Sequence, residues 1–219
     1  MKLYNYWRSS SSYRVRIALA YKGVAYEYVP VNIHPKASEQ WSASFDVVNP
    51  LRQVPVLEVD AGSDRSPRRL TQSMAILEYL EEVFPSPPLL PSDRWQRARV
   101  RQLAEVVNSG IQPLQNLAVQ RHVTEALAGD GSAFSRHFVA LGLQTLERMA
   151  GETAGRFSMG DAVSLADVYL VPQLYAARRL DVDVAPMATL LRVEAACLAL
   201  PAFVAARPEN QPDARPSAS

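Results

Sequence analysis

Four prolines fall within the seven residues Pro85–Pro91. Such a run cannot be a helix or a central strand, because each proline fixes φ and removes a backbone donor, so it reads as a stiff linker. It divides two different patterns. Before it, short apolar runs alternate with helical ones; after it, every periodic stretch has helical spacing and none reads as a strand. The chain is therefore expected to pair an α/β domain over residues 1–84 with an all-α domain over 92–207, joined by a linker at 85–91. The proline-containing end, 208–219, reads as a loose tail.

Within the first part, Leu3–Trp7 is short and aromatic enough for a strand. Tyr13 to Tyr21 is a mostly apolar helix that stops at Lys22-Gly23, and Tyr26–Val31 is a second strand. Strand, helix and strand in about thirty residues make a βαβ unit with parallel strands. Residues 36–46 read as a short, loosely packed helix. In Asn49–Val59, Pro55 can stand only at the start of a strand. A cis Val54–Pro55 bond would turn the Val54 backbone outward toward an extended peptide-like ligand. Asp60–Arg69 reads as a solvated hairpin loop returning to an edge strand at Arg69–Thr71.

Two stretches suit an anion. Ser9-Ser10-Ser11-Ser12 lies between the first strand and the first helix, where hydroxyls, backbone N–H groups and the positive end of the helix dipole converge, with Arg8 adding a full charge. A thiolate is one anion such a loop could hold; a merely polar turn is the plainer alternative. Gln72-Ser73 opens a second helix, with Ile76, Leu77 and Leu80 on one face and Ser73 expected as its N-cap.

In the second part, residues 92–120 carry apolar positions at helical spacing, and Pro113 is expected to kink or break that helix. Residues 133–150 repeat the pattern through Phe134, Phe138, Leu141, Leu146 and Met149. Ser164–Asp167 is a capping box ahead of an apolar run, and 188–199 is a last helix. Arg178 and Arg179 close the helix begun at Ser164, as dipole-complementing cations or, for a cleft-facing Arg179, as a carboxylate clamp.

Bulk properties exclude several classes. A formal net charge of +1 over 219 residues gives no electrostatic reason to expect nucleic acid or an anionic membrane as partner. No apolar run approaches the roughly 18 residues of a membrane span. The only cysteine, Cys197, cannot form an internal disulfide, which fits a cytoplasmic location. Met1–Ser10 lacks the sustained apolar segment of a secretory leader. No metal site is expected.

Several motifs together resemble the zeta class of glutathione S-transferases over nearly the whole length. They are Arg8–Leu19, Asn49-Pro50 through Gln53-Val54-Pro55, Gln72-Ser73 ahead of Ile76–Glu82, Gly110–Leu117, Gly160-Asp161, Leu165–Asp167 and Leu170–Gln173. The resemblance implies an N-terminal thioredoxin-like domain with a mixed four-stranded sheet, a C-terminal all-helical domain, a homodimer, and glutathione at the serine loop. It implies that Ser9, Ser10 and Ser11 line the thiol. Gln40, Gln53, Val54 and Pro55 would flank the tripeptide, Gln72 and Ser73 would take its γ-glutamyl end, and Gln112 and Asn116 would reach in from the helical domain. The family loop usually reads Ser-Ser-Cys; Ser11 replaces the cysteine, so a mixed disulfide cannot form there.

The implied activity is glutathione-dependent cis–trans isomerisation of maleylacetoacetate to fumarylacetoacetate, in tyrosine and phenylalanine catabolism. A serine hydroxyl would stabilise the thiolate, and Arg8 and Arg179 the carboxylates of the small diacid substrate and the developing charge. The alternatives are the same chemistry on maleylpyruvate, glutathione transfer with dehalogenation of α-halo acids, and a non-catalytic glutathione-binding protein.

Overall fold

The computed structural model describes residues 1–60 and 67–214. Residues 61–66 of the expected hairpin loop, and 215–219 of the expected tail, lie outside them. The chain divides into two units, Met1–Pro87 joined by the segment from Pro201, and Pro88–Leu200.

The first unit is built on a four-stranded sheet of β1 (Lys2–Asn5), β2 (Glu27–Pro30), β3 (Val56–Val59) and β4 (Arg68–Thr71) in the order β2-β1-β3-β4. β1 and β2 are parallel, as a βαβ unit requires, while β1–β3 and β3–β4 are antiparallel. Helix α1 (Ser10–Tyr21) connects β1 to β2 and stops at Lys22, with Gly23 following at φ +66°, the left-handed position that favours glycine. Residues 36–46 form less helix than expected, one 3₁₀ turn at Glu39–Trp41 and one α-turn, α2 (Ala43–Asp46). Helix α3 (Ser73–Val83) follows β4. Leu3, Val15, Ile17, Leu57, Ile76, Leu77 and Leu80 are fully buried between sheet and helices.

The second unit contains α4 (Arg94–Glu105), α5 (Leu117–Glu125), α6 (Gly131–Gly151), α7 (Leu165–Arg179) and α8 (Ala188–Leu198). The expected long helix does break before Pro113, but through a π-helical turn over Val106–Ile111. α7 is the unit's centre, with Leu165–Leu174 wholly buried. Asp167 accepts the Ser164 N–H at 2.8 Å and its hydroxyl at 2.9 Å, the expected capping interaction, and also the Ser158 N–H at 2.8 Å. Burial raises the Asp167 carboxyl above its ordinary range, and those donors oppose the shift. α6 turns a different face inward from the one expected. Ser135, Val139, Leu143, Leu146 and Ala150 are buried, whereas Leu141 is exposed. Small residues set this face: a Cβ on Gly142 would stand 2.3 Å from Cγ1 of Ile111, so any larger residue would force the Ile111 side chain at the π turn to move. Leu89 and Leu90, read as linker, are buried in this unit, and the Leu89 carbonyl accepts the Leu165 N–H at 2.8 Å.

The expected tail is folded over its described part. It forms a 3₁₀ turn at Pro208–Asn210; the short helix before it, α9 (Pro201–Ala205), expected in the all-α domain, groups with the first unit as well. Phe203, Ala206 and Pro208 are buried, and Gln211 donates to the Ala205 and Arg207 carbonyls at 2.9 and 2.7 Å. Composition suggested looseness over 208–219; the burial of Pro208 and the side-chain bonds of Gln211 across the turn hold the described part in place.

Candidate functional site

The turn from β1 into α1 is fixed mainly by one buried side chain. Arg16, 1% exposed, donates through Nη1 to Asn5 Oδ1 (3.1 Å) and the Tyr6 carbonyl (3.3 Å), and through Nη2 to the Trp7 carbonyl (2.9 Å). The Ser9 N–H closes the turn on the Tyr6 carbonyl at 3.0 Å. Ser9 is the N-cap, at φ −67° and ψ 118°, and its Oγ accepts the Ser12 N–H at 3.2 Å. Of the four serines only Ser9 is therefore a cap; Ser10, Ser11 and Ser12 form the first helical turn, because a capped backbone is already helical from the next residue on. The cap uses a lone pair of the Ser9 oxygen and leaves its proton to donate. Ser10 and Ser11 occupy the first two helical positions, whose N–H groups have no intrahelical acceptor. Arg8 is half-buried, its guanidinium 5.2 Å from the Trp7 ring centroid.

At the start of α3 the sequence expectation needs correcting. The cap is Gln72, at φ +66° and ψ 118°, a left-handed conformation rarely adopted by a non-glycine residue. Ser73 is the first helical residue, and its hydroxyl accepts from Nη1 of the fully buried Arg14 at 3.1 Å instead of capping the helix. The Val54–Pro55 bond is cis. Val54 precedes the β3 ladder, which begins at Val56, and is buried in a cluster with Tyr6, Phe45 and Val56 against which Trp7 packs. Pro55 is buried beside it, and Gln53 is exposed with its carbonyl held by Asn49 Nδ2 at 2.7 Å. Gln40 lies in the 3₁₀ turn, and its Oε1 is buried with no partner among the described residues. An orphaned acceptor of this kind suits a ligand bearing N–H donors.

Gln112, Asn116 and Arg179 belong to the second unit. Gln112 Oε1 accepts from Gln115 Nε2 at 3.1 Å, and Gln115 exchanges two amide bonds with the fully buried Gln173 at 3.1 and 3.0 Å. Asn116 caps α5 through an Oδ1 bond to the Ala118 N–H at 2.9 Å. Arg178 forms a bidentate pair with Glu194 at 2.6 and 2.5 Å, which raises its pKa. Arg179 is exposed, 6.0 Å from the Tyr175 ring centroid.

Sequence reasoning assigned roles to the serines, Gln53, Ser73 and Gln112 but not to the residues packed against them: Arg16 at the β1–α1 turn, Asn49 on the Gln53 carbonyl, Arg14 on Ser73 and, within the second unit, Gln115 and Gln173 behind Gln112. A signal did exist for the arginines, since two charges in an otherwise apolar helix need buried acceptors. Among the described residues, no group of three or more His, Cys, Asp and Glu is placed to hold a metal ion, and no helix is long and apolar enough to cross a membrane.

Comparison with known proteins bears on the same elements. The glutathione S-transferase N-terminal domain profile matches residues 1–82. Maleylacetoacetate isomerase of Rattus norvegicus is 44% identical over 211 residues, covering 96% of this chain and 94% of the rat protein. The crystal structure of maleylacetoacetate isomerase from Anaeromyxobacter dehalogenans 2CP-1, with glutathione bound in its active site, is 55% identical at a TM-score of 0.89, covering 98% of this chain and 97% of that one. The same enzyme has also been solved with dicarboxyethyl glutathione and citrate in the active site. A holo maleyl pyruvate isomerase, a bacterial zeta-class transferase, is 41% identical at a TM-score of 0.90, covering 98% of this chain and all of that one. At this identity and coverage, with the four-stranded sheet and the helical unit both matched, the chain belongs to the zeta class of the glutathione S-transferases, among the maleylacetoacetate isomerases.

Proposed function

We propose that this chain isomerises maleylacetoacetate to fumarylacetoacetate with glutathione as cofactor, and that Ser9 is the hydroxyl that activates the thiol. The observation that carries the assignment to Ser9 is its geometry: its oxygen is engaged as acceptor by the Ser12 N–H, which leaves its proton to donate to a ligand at the positive end of α1. Bound glutathione supplies a sulfur nucleophile that adds to the double bond, permits rotation about the resulting single bond and then leaves.

The residues divide the remaining work. Ser9 donates to the sulfur, and the first-turn N–H groups of Ser10 and Ser11 add partial positive charge. Gln40, Gln53, Val54 and Pro55 flank the tripeptide backbone, the buried Oε1 of Gln40 accepting from it. Gln72 and Ser73 receive the γ-glutamyl carboxylate at the start of α3. Arg8 in the first unit and Arg179 in the second are the cations proposed for the substrate carboxylates, and Gln112 and Asn116 are the amides proposed as further donors. A homodimer and a cytoplasmic location belong to the same reading; the single buried Cys197, which needs no oxidising compartment, fits the latter.

The likeness to maleyl pyruvate isomerase favours one second reading, the same chemistry on maleylpyruvate. Ultraviolet-monitored conversion of both acids, with and without glutathione, separates the two. Maleylacetoacetate is expected to be consumed faster, and only with glutathione. Conversion independent of glutathione, or halide release from α-halo acids with no isomerisation, overturns the proposal.

A further inference from the structure

The described end of the chain reaches the turn that carries Ser9. Asp213 Oδ2 accepts the Trp7 N–H at 3.2 Å, across 206 residues of sequence, and Oδ1 accepts from the Tyr28 hydroxyl on β2. Burial, reinforced by the bond to Asp213, raises the Tyr28 phenol, so it remains a donor at any working pH. Arg16 completes the arrangement: besides the Tyr6 and Trp7 carbonyls it donates through Nε to the Ala206 carbonyl at 3.2 Å, just after α9. Both backbone polar groups of Trp7 are thus held by charged side chains, one from α1 and one from the C-terminal segment. Trp7 stands two residues before the cap, and the peptide between them is closed by the Ser9–Tyr6 bond.

We propose that Asp213 is a positioning residue of the thiol site: planted by Tyr28, it fixes the Trp7 amide and, through the Tyr6–Ser9 turn, the direction in which the Ser9 hydroxyl donates. The proposal rests on Ser9 activating glutathione, and it makes the C-terminal segment part of the scaffold of that site. A charge-assisted bond to a backbone N–H is stronger than a neutral one, and small errors in aim weaken a hydrogen bond to sulfur.

The test uses the full chain with Asp213→Ala, Asp213→Asn and Tyr28→Phe. The thiol pKa of bound glutathione is titrated by thiolate absorbance, with kcat and KM for glutathione measured in parallel. Asp213→Ala is expected to raise the bound-thiol pKa by about half to one unit and to lower kcat near pH 7 by about three- to tenfold, recovering at higher pH, with KM changed less than about twofold. Asp213→Asn should lie close to wild type, since its oxygen can still accept from Trp7 while its amide donates to the Tyr28 oxygen. A folded Asp213→Ala chain with the wild-type thiol pKa overturns the proposal, because lost stability alone would reduce the active fraction and leave that pKa in place. Should Asp213→Ala not fold, Tyr28→Phe decides: a smaller rise supports the proposal and no rise refutes it. If the wild type leaves bound glutathione at its free pKa, the assignment of Ser9 falls and this proposal with it. If the wild type lowers that pKa and Asp213→Ala lowers it equally, only the role of Asp213 falls.

Discussion

Ser9 caps α1 and is proposed to act on the thiol, two roles that a single substitution can separate. Its oxygen caps α1 by accepting the Ser12 N–H at 3.2 Å, and its proton is assigned to the glutathione sulfur. Ser9→Ala would remove both, losing about 1 kcal/mol of helix stability with the cap. Glycine in the same place loses only a few tenths of a kcal/mol as a cap and carries no hydroxyl. Ser9→Gly therefore isolates the thiol interaction. A hydrogen bond to a charged group is worth about 1.5–3 kcal/mol, and 1.36 kcal/mol corresponds to about one pKa unit, so the bound thiol should rise by about one to two units. From a free value near 8.5, the helix dipole and the first-turn N–H groups still supply part of the depression, so activity does not vanish. Near pH 7, kcat/KM should fall about 10- to 100-fold, recover as the pH rises, and leave the thermal midpoint almost unchanged. Ser10→Ala and Ser11→Ala, which alter neither the cap nor the first-turn N–H groups, should each shift the thiol pKa by less than about half a unit. Ultraviolet titration of bound glutathione across the three variants is the assay. A large shift in Ser10→Ala or Ser11→Ala beside a small one in Ser9→Gly would refute the assignment.

Asp167 has three donors converging on two oxygens, so Asp167→Ala strands two buried N–H groups and a hydroxyl and should lower unfolding stability by about 3–6 kcal/mol in denaturant titration. Asp167→Asn should lose less, about 1–3 kcal/mol, because one oxygen remains but the amide opposes a donor. Gln173→Leu leaves Gln115 without its two reciprocal partners and should destabilise by about 2–4 kcal/mol, while the half-buried Gln112→Ala should fall below about 1 kcal/mol; equal losses would mean that the amide chain is not organised from Gln173 outward.

What the sequence made legible was local. A cap within the serine loop, the stop at Gly23, the Ser164–Asp167 pairing and the break ahead of Pro113 each depend on residues within about one helical turn. What was misread depends on partners far along the chain. Ser73 looks like a cap because serine usually is one, but its hydroxyl is taken by Arg14, 59 residues away. Residues 208–214 look loose because proline and polar residues dominate, but Asp213 is held at Trp7 and Tyr28. The inward face of α6 was misjudged for a different reason. Large apolar residues suggest a face, whereas close helix approach is set by small ones such as Ser135 and Gly142, which carry no hydrophobic signal. The candidate site residues of the first unit were proposed from chemistry and motif; the buried arginines packed behind them required the tertiary structure.

Those arginines also account for the relation between the two helix starts in the first unit. Arg14 and Arg16 are two residues apart, about 200° around α1, so one reaches α3 while the other reaches the end of β1 and the segment after α9. A second link joins α1 to α3 at their far ends: the buried Lys22 Nζ donates to Glu81 Oε2 at 2.6 Å and to the Phe84 carbonyl at 2.7 Å. From Arg14 to Lys22 and from Ser73 to Glu81 the chain takes the same number of helical steps, about 12 Å of rise along each axis. Equal spacing of the two links requires the helices to run parallel and in register. Their N-termini, with Ser9–Ser11 on one and Gln72-Ser73 on the other, must then lie at the same end of the unit. An apolar seam between Ile17, Leu77 and Leu80 would bury as much surface in several registers, whereas two polar links satisfy their donors in only one. The separation of the two anion-favouring helix ends is therefore set by a rigid frame of helices and not by the loops that precede them. That is the condition for one extended ligand to place a thiolate at the first and a carboxylate at the second with little ordering left to do on binding.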